Sequence, residues 1–146
     1  MRQSPGSTGE TLPGATPPAV GPQPPSVLDR IGPVLVLALL APVVAELLFG
    51  ATPITNPGAF LPDLAVYGGG ALLIREAVRR RSLGWASIIL LGVAFGIVEE
   101  GLALESLFNP RLFDADALGG RALGVNWVWT QWTLGYHAIW SISIPI

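Results

Sequence analysis

The chain has 146 residues, of which 51% are hydrophobic and 12% are charged, and its formal net charge is −2. Soluble domains carry about 25% charged residues, so this composition excludes an ordinary soluble domain and indicates an integral membrane protein. The small net charge provides no basic surface for nucleic acid, and the absence of cysteine excludes disulfides and thiolate metal sites. We therefore expect the lipid bilayer as the main partner and no nucleic acid.

Residues 1–28 are rich in proline, glycine, serine and threonine and contain almost no large apolar side chain. Such a segment cannot bury enough surface to offset the entropy lost on ordering, so we predict a disordered tail. A secretory signal peptide would have its apolar stretch near the start, whereas the first apolar run here begins at Ile31. A proline-rich docking motif is the alternative interpretation of this tail.

Residues 29–146 form the predicted membrane domain, with four hydrophobic segments that are each close to the ~20 residues of a transmembrane helix. Asp63 lies where it can cap the second helix, and Asn109–Pro110 is expected to stop the third. The predicted helices cover residues 31–49, 61–78, 83–108 and 125–146. The segment Trp140–Ile146 has no polar flank, so we expect the domain to be incomplete at its C-terminus. The predicted fold class is all-α, a polytopic transmembrane bundle of about four helices after a disordered N-terminal tail.

The placement of arginine predicts the orientation of this bundle. Arg79–Arg81 lies between the second and third helices, whereas residues 50–60 contain no basic side chain. The positive-inside rule places the arginine loop and the N-terminus in the cytoplasm, and we predict an integral protein of a bacterial plasma membrane. Three tryptophans mark the outer start of the fourth helix, as expected for an interfacial belt. They are Trp127, Trp129 and Trp132.

Glu99 and Glu100 lie side by side in the most apolar stretch of the chain, residues 88–105. A carboxylate in a bilayer core costs about 2.5–3.5 kcal/mol or more, so the pair indicates a functional site. The helical rise places Glu99 about 13 Å and His137, the one histidine, about 15 Å from the outer ends of their helices. We therefore expect these side chains to lie at one depth, and Glu46 falls in the same outer half.

A small-residue face, Gly92–Gly96, precedes the glutamate pair and allows another helix to approach closely. Glu99 and Ser106 continue that face at helical spacing, so we expect Glu99 to point into a helix interface. Glu100 is turned by about 100° from it, and Glu105 lies on another side. We therefore expect that the three glutamates do not share one pocket.

Two neighbouring carboxylates resist ionising together, so one can keep a proton while the other acts as a base. Glu99, Glu100 and His137 are accordingly the candidate catalytic residues. The same three side chains are also candidate ligands for a divalent metal such as zinc, with an open position for water. The structural alternative is that the glutamates are neutral, hydrogen-bonded residues that set the helix register, with Thr133 and Ser141 as partners of His137.

A serine nucleophile is less well supported than these side chains. Ser106, Ser141 and Ser143 lie in the apolar helices, but no nucleophile-elbow motif surrounds them. Serine in membrane helices commonly bonds to the backbone.

The glutamate pair followed by His137 in the next helix resembles the CPBP family of intramembrane glutamate proteases, which includes CAAX-prenyl endopeptidases and bacteriocin-processing enzymes. The resemblance covers residues 83–146. That family carries a Glu-Glu-x-x-x-Arg motif and a Phe-x-x-x-His motif, which implies catalytic roles for Glu99, Glu100 and His137. Leu104 stands at the arginine position and Thr133 at the phenylalanine position, and a further histidine of the family has no counterpart up to Ile146.

These departures lead to a prediction of a polytopic membrane protein of undefined activity, a divergent, non-proteolytic CPBP-like protein with an intramembrane Glu/Glu/His site. The first alternative is an active metal- or glutamate-dependent intramembrane peptidase, with a membrane peptide or other membrane helices as partners. The second is a component of proton- or cation-coupled transport that uses the carboxylates as a relay.

Overall fold

The computed structural model describes residue 21 and residues 24–146, so most of the predicted tail, residues 1–28, lies outside the described residues. The described chain is mostly helical, with five α-helices. These are α1 (Val27–Pro42), α2 (Phe60–Asp63), α3 (Gly69–Arg80), α4 (Trp85–Gly96) and α5 (Trp127–Tyr136). A short antiparallel pair, β1 (Arg121–Ala122) and β2 (Val125–Asn126), precedes α5, and 3-10 turns cover Leu112–Leu118.

Four segments of the described chain have π-helical geometry and extend or join these α-helices. They are Val43–Leu48 after α1, Leu64–Gly68 between α2 and α3, Ile97–Ala103 after α4 and His137–Ser143 after α5. The continuous helical runs are therefore Val27–Leu48, residues 60–80, Trp85–Ala103 and residues 127–143. Val27–Leu48 and Trp85–Ala103 are long and apolar enough to cross a membrane, judged by length and composition.

The first two runs begin ahead of the predicted positions. A capping box starts α1 at Val27 rather than Ile31: the Asp29 amide donates to Ser26 Oγ at 3.2 Å, and the Ser26 amide donates to Asp29 Oδ2 at 2.8 Å. The second run begins at Phe60 and continues to residue 80 rather than 78. The prediction that Asp63 caps it is wrong, because Asp63 lies inside α2 and its side chain accepts a hydrogen bond from Thr52.

The third run ends at Ala103 and not at Phe108, so the predicted stop at Asn109–Pro110 is wrong. Glu105 adopts a positive φ of 56°, which turns the chain out of helical geometry. Ser106 then folds back and its hydroxyl donates to the Glu100 carboxylate. Ser106 is fully buried, so this polar contact lies inside the protein.

The fourth run begins at Trp127 rather than residue 125, since Val125 and Asn126 belong to β2. The Asn126 side chain caps α5 by accepting a hydrogen bond from the Trp129 amide at 3.0 Å. Its amide group donates to the Ala115 carbonyl at 2.6 Å and so ties the start of α5 to the preceding loop. The π-helical continuation of α5 ends at Ser143, before the predicted residue 146.

The close helix contact predicted from Gly92–Gly96 is confirmed, and its partner is the segment His137–Ser143. A Cβ at Gly92 would lie 2.8 Å from the Ala138 Cα, and one at Gly96 would lie 3.1 Å from the His137 Cβ. Glycine at both positions therefore lets the two backbones meet, as in small-xxx-small helix pairs. This contact brings His137 beside the glutamate-bearing helix.

Candidate functional site, a buried Glu/Glu/His centre

The π-helical segments meet around one cavity of about 430 Å³. Each of the four contributes at least one polar side chain to its wall. These side chains are Glu46, Tyr67, Glu99, Glu100 and His137. Insertions of π-helical geometry are rare and frequently occur at functional sites, so their coincidence here points to this cavity as the functional centre of the described chain.

Glu99, Glu100 and His137 form the floor of this cavity. His137 Nε2 lies 2.8 Å from Glu99 Oε2 and 3.1 Å from Glu100 Oε1. The three ligand atoms all lie within 4.8 Å of one another. The side chains are buried, with His137 only 1% exposed. The structure thus brings the three predicted site residues together.

The expectation that Glu99, Glu100 and Glu105 do not share one pocket is confirmed, and Glu100 joins Glu99 in the cavity despite the turn of about 100° expected between them. Both Glu99 and Glu100 lie in the π-helical segment Ile97–Ala103. The expectation for Glu105 is confirmed, since Glu105 is exposed and lies outside the shared cavity.

A hydroxyl group supports each member of the centre. Tyr67 donates its phenolic hydrogen to Glu99 Oε1 at 3.0 Å, and Ser106 donates to Glu100 Oε2. Ser141 Oγ lies 3.2 Å from His137 Nδ1, which confirms one of the two partners expected for this histidine. The supported atoms point away from the centre, so Glu99 Oε2, Glu100 Oε1 and His137 Nε2 remain free to face one another. Supporting groups of this kind orient ligands in metal sites.

The centre contains more acceptor atoms than hydrogen-bond donors. Glu99 Oε2 is buried and makes no hydrogen bond within the described chain, although His137 Nε2 is close to it. Only Glu100 Oε1 has the distance and angles of a hydrogen bond with His137 Nε2. One ring nitrogen carries at most one hydrogen and cannot satisfy two carboxylates, and an unsatisfied buried acceptor is costly. A cation at this point would neutralise both carboxylates and contact all three atoms.

The comparisons with known proteins place this chain in a family. A sequence model described as an uncharacterized membrane protein family matches residues 35–146, which contain every residue of the centre. This chain belongs to that family. No curated protein and no solved structure matches the chain. Membership of the uncharacterized membrane protein family agrees with the apolar composition, whereas the match provides no link to the CPBP proteases.

The donor set of this family member fits a divalent metal ion. Catalytic zinc sites have three protein ligands drawn from histidine and carboxylate and keep a fourth position open. Tetrahedral ligands at about 2.0–2.2 Å from zinc lie about 3.4 Å apart, so His137 Nε2, now 2.8 Å and 3.1 Å from the two carboxylate oxygens, would move by a few tenths of an ångström to hold the ion. The fourth position would face the cavity, since all three residues line it.

A second pair of carboxylates, Glu46 and Asp63, lines the same cavity. The Thr52 hydroxyl lies between them, 2.8 Å from Glu46 Oε2 and 3.3 Å from Asp63 Oδ2. The sequence argument placed Glu46 at the depth of the glutamate pair, and the structure confirms that it joins the same cavity. Sequence reasoning missed Thr52 and treated Asp63 as a helix cap. Thr52 has no sequence signal, because it lies in a loop that only the tertiary fold brings here.

Several other residues considered from the sequence have different partners. Thr133 donates to the Trp129 carbonyl at 3.1 Å, so it is not the partner of His137. Ser143 donates to the Ala138 carbonyl at 2.6 Å, which is the backbone contact expected for this serine. Leu104, at the position of the CPBP arginine, lines the cavity and brings no charge to it. Trp129 turns inward and donates to Ser106 Oγ at 3.0 Å.

Tyr67 is a positioning residue that sequence reasoning missed, although a phenol in the middle of an apolar segment was the signal available. It is 5% exposed and its hydroxyl donates a hydrogen bond to Glu99.

Replacing Tyr67 with Phe is expected to lower zinc affinity about 10- to 100-fold, the usual loss for a supporting group of a metal ligand. Zinc titration of the purified protein measures this. Replacing Tyr136 with Phe is the control, because its hydroxyl donates to the Ala45 carbonyl and not to the centre. Equal zinc affinity of Tyr67→Phe and the parent would show that Glu99 needs no such support.

Proposed function

We propose that this chain is a polytopic membrane protein whose Glu99, Glu100 and His137 bind one divalent metal ion, for which zinc is the best match. In this proposal all four helical runs cross the bilayer. The runs at residues 60–80 and 127–143 support this, because they contribute Tyr67 and His137 to the same cavity as the two candidate spans. The arginines at 79–81 support a cytoplasmic N-terminus in a bacterial plasma membrane.

The observation that carries the proposal is the convergence of three lone-pair-bearing atoms, each on a side chain held by a hydroxyl group. Glu99 Oε2 lacks a hydrogen-bond partner within the described chain, and a metal ion would coordinate this oxygen. Neutral glutamates, the structural alternative, require Glu99 Oε2 to carry a proton and to donate it to His137 Nε2 or to Glu100. The donor set of two oxygens and one nitrogen suits zinc better than the all-oxygen sites of magnesium and calcium.

Hydrolysis is the reaction class that such a centre suits best. A bound zinc ion would supply Lewis-acid polarisation of water or of a carbonyl group. The chain would contribute a cavity that admits a substrate from one side and helices that exclude bulk water from the other. Leu104 leaves this cavity without the arginine of the CPBP motif, so the proposal does not assign a peptide as substrate.

A glutamate-dependent hydrolysis without metal is the second candidate. One observation favours it: both carboxylates lie within 3.1 Å of the same imidazole nitrogen, so Glu99, Glu100 and His137 can exchange a proton among them. The residue roles implied by the CPBP resemblance are the same. Metal content separates this candidate from the first.

The test is a zinc titration of the purified protein in lipid nanodiscs, with metal content measured by mass spectrometry. The parent is expected to bind one zinc per chain, and Glu99→Gln is expected to bind zinc about 100-fold more weakly or worse, because it removes a charged ligand. The matched control is Glu105→Gln, which removes an exposed glutamate of the same region. A parent that binds no divalent metal in stoichiometric amount would overturn the metal proposal and leave the glutamate-dependent candidate.

A further inference from the structure

An apolar groove of about 670 Å³ lies beside the polar cavity. Phe49, Trp132 and Tyr136 line both spaces, so these aromatic side chains form the wall between them. The groove continues along the fourth helical run past Gly135, Ile139 and Trp140. In a membrane protein such an open apolar surface faces hydrocarbon, and a molecule lying in it has direct access to the polar cavity.

The polar cavity carries an excess of negative groups. Among the described residues, its walls contain the carboxylates of Glu46, Asp63, Glu99 and Glu100 and the imidazole of His137, and no lysine or arginine. A divalent ion at the centre would compensate Glu99 and Glu100 alone. Glu46, which is 9% exposed, and Asp63 lie outside that set of three ligands, and the one hydroxyl hydrogen of Thr52 serves only one of them. Glu99 Oε2, also buried and without a hydrogen-bond partner among the described residues, lines the same space.

Aromatic rings surround these carboxylates. Phe49 and Tyr136 pack with ring centroids 4.5 Å apart, and Trp129 and Trp132 complete that side of the cavity. Faces of aromatic rings attract cations, and tryptophan does so most strongly. Carboxylates together with aromatic walls are complementary to an ammonium group and repel an anion.

We infer that the cavity and the groove together accommodate an amphiphilic amine, with its ammonium head beside Glu46 and Asp63 and its hydrocarbon chain in the groove. The inference rests on the proposed function, because the head group would lie in the same cavity as the metal centre. The groove extends from Val128 to Trp140, about 18 Å along a helix, and the wall that it shares with the cavity lies within this length, so it has room for one alkyl chain that leaves the cavity. The predicted ligand class is therefore a single-chain lipid amine.

The first arm of the test measures binding of radiolabelled tetradecyltrimethylammonium to the zinc-loaded full chain in nanodiscs, with binding to empty nanodiscs subtracted. Tetradecyl sulfate and tetradecyl maltoside are the anionic and neutral comparisons. The cation is expected to bind at least about tenfold more tightly than either. Its ammonium group would pair with buried carboxylates and contact aromatic rings, and the other two head groups would not. Equal binding of the cation and the sulfate would overturn the inference.

The second arm changes each half of the site separately. Glu46→Gln with Asp63→Asn is expected to remove the preference for the cation. Gly135→Leu is expected to weaken binding of all three amphiphiles, because a Cβ at Gly135 meets no atom within 4 Å and the larger side chain would enter the groove. Gly69→Leu is the matched control, since Gly69 has the same open surroundings and lines neither space. Thermal melting of every variant verifies its fold.

Zinc content, measured in the same samples, separates the two proposals. The parent could bind zinc while the carboxylate and groove variants leave amphiphile binding unchanged. That result would overturn this inference and leave the metal proposal intact. Selective cation binding that responds to those variants in a parent without zinc would support the amphiphile site and overturn the metal proposal alone. If the double variant does not fold, Glu46→Gln alone supplies the comparison, because its partner Thr52 can donate to the glutamine oxygen.

Discussion

Replacing His137 with Asn is expected to abolish stoichiometric zinc binding while the helical fold persists. His137 provides the nitrogen ligand, and its Nε2 lies within 3.1 Å of both carboxylates. Loss of this ligand should cost more than the about 10- to 100-fold that follows loss of a supporting group. Zinc titration measures the affinity. Circular dichroism and thermal melting, with and without zinc, measure the fold and its stabilisation by metal.

Thr133→Val is the control for this replacement. Thr133 lies one turn before His137 on the same helix and bonds only to the backbone carbonyls of Trp129 and Thr130. Its zinc affinity is expected to match that of the parent. If His137→Asn were to bind zinc as tightly as Thr133→Val does, the histidine would not be a ligand and the metal proposal would fail.

Replacing Gly92 with Leu is expected to destabilise the protein by about 3 kcal/mol and to weaken zinc binding at the same time. A Cβ at Gly92 would lie 2.8 Å from the Ala138 Cα, so the two helices must separate. His137 precedes Ala138 and would move away from the glutamates with it. Unfolding in mixed micelles gives the free energy change, and zinc titration of the same samples gives the affinity.

Gly69→Leu is the matched comparison, because a Cβ at Gly69 meets no atom within 4 Å. It is expected to change stability by less than about 1 kcal/mol, since leucine also favours helix over glycine. Equal stability of Gly92→Leu and Gly69→Leu would contradict the close helix contact. A large loss of stability without any loss of zinc affinity would show that the contact does not position His137.

The glutamate pair and the histidine were recognisable because charge is costly in an apolar segment and helical rise places residues by depth. That argument brought Glu99, His137 and Glu46 to one level, and all three line one cavity. Glu100 was also predicted as a site residue, although α-helical geometry turns it by about 100° from Glu99. Both carboxylates lie in the π-helical segment Ile97–Ala103 and line the same cavity.

The supporting groups were harder to recognise. Ser106 was expected on the third helix, but the turn at Glu105 returns it to the Glu100 carboxylate. Tyr67 is separated from Glu99 by 32 positions, and Thr52 from Asp63 by 11, with no periodic pattern to connect them. Contacts of this kind depend on how helices pack and on where a loop crosses a cavity.

Composition alone was sufficient for the membrane assignment, and the identity of a few polar residues in apolar segments was sufficient to name Glu99, Glu100 and His137. Both inferences depend on the free energy of transferring a side chain from water to hydrocarbon. That free energy is a property of each residue and does not require knowledge of its neighbours in space. The π-helical turns, the hydroxyl support and the junction of cavity and groove depend on contacts between distant segments. One of them is the close approach of the fourth run to the third at Gly92 and Gly96, which places His137 against the glutamate pair.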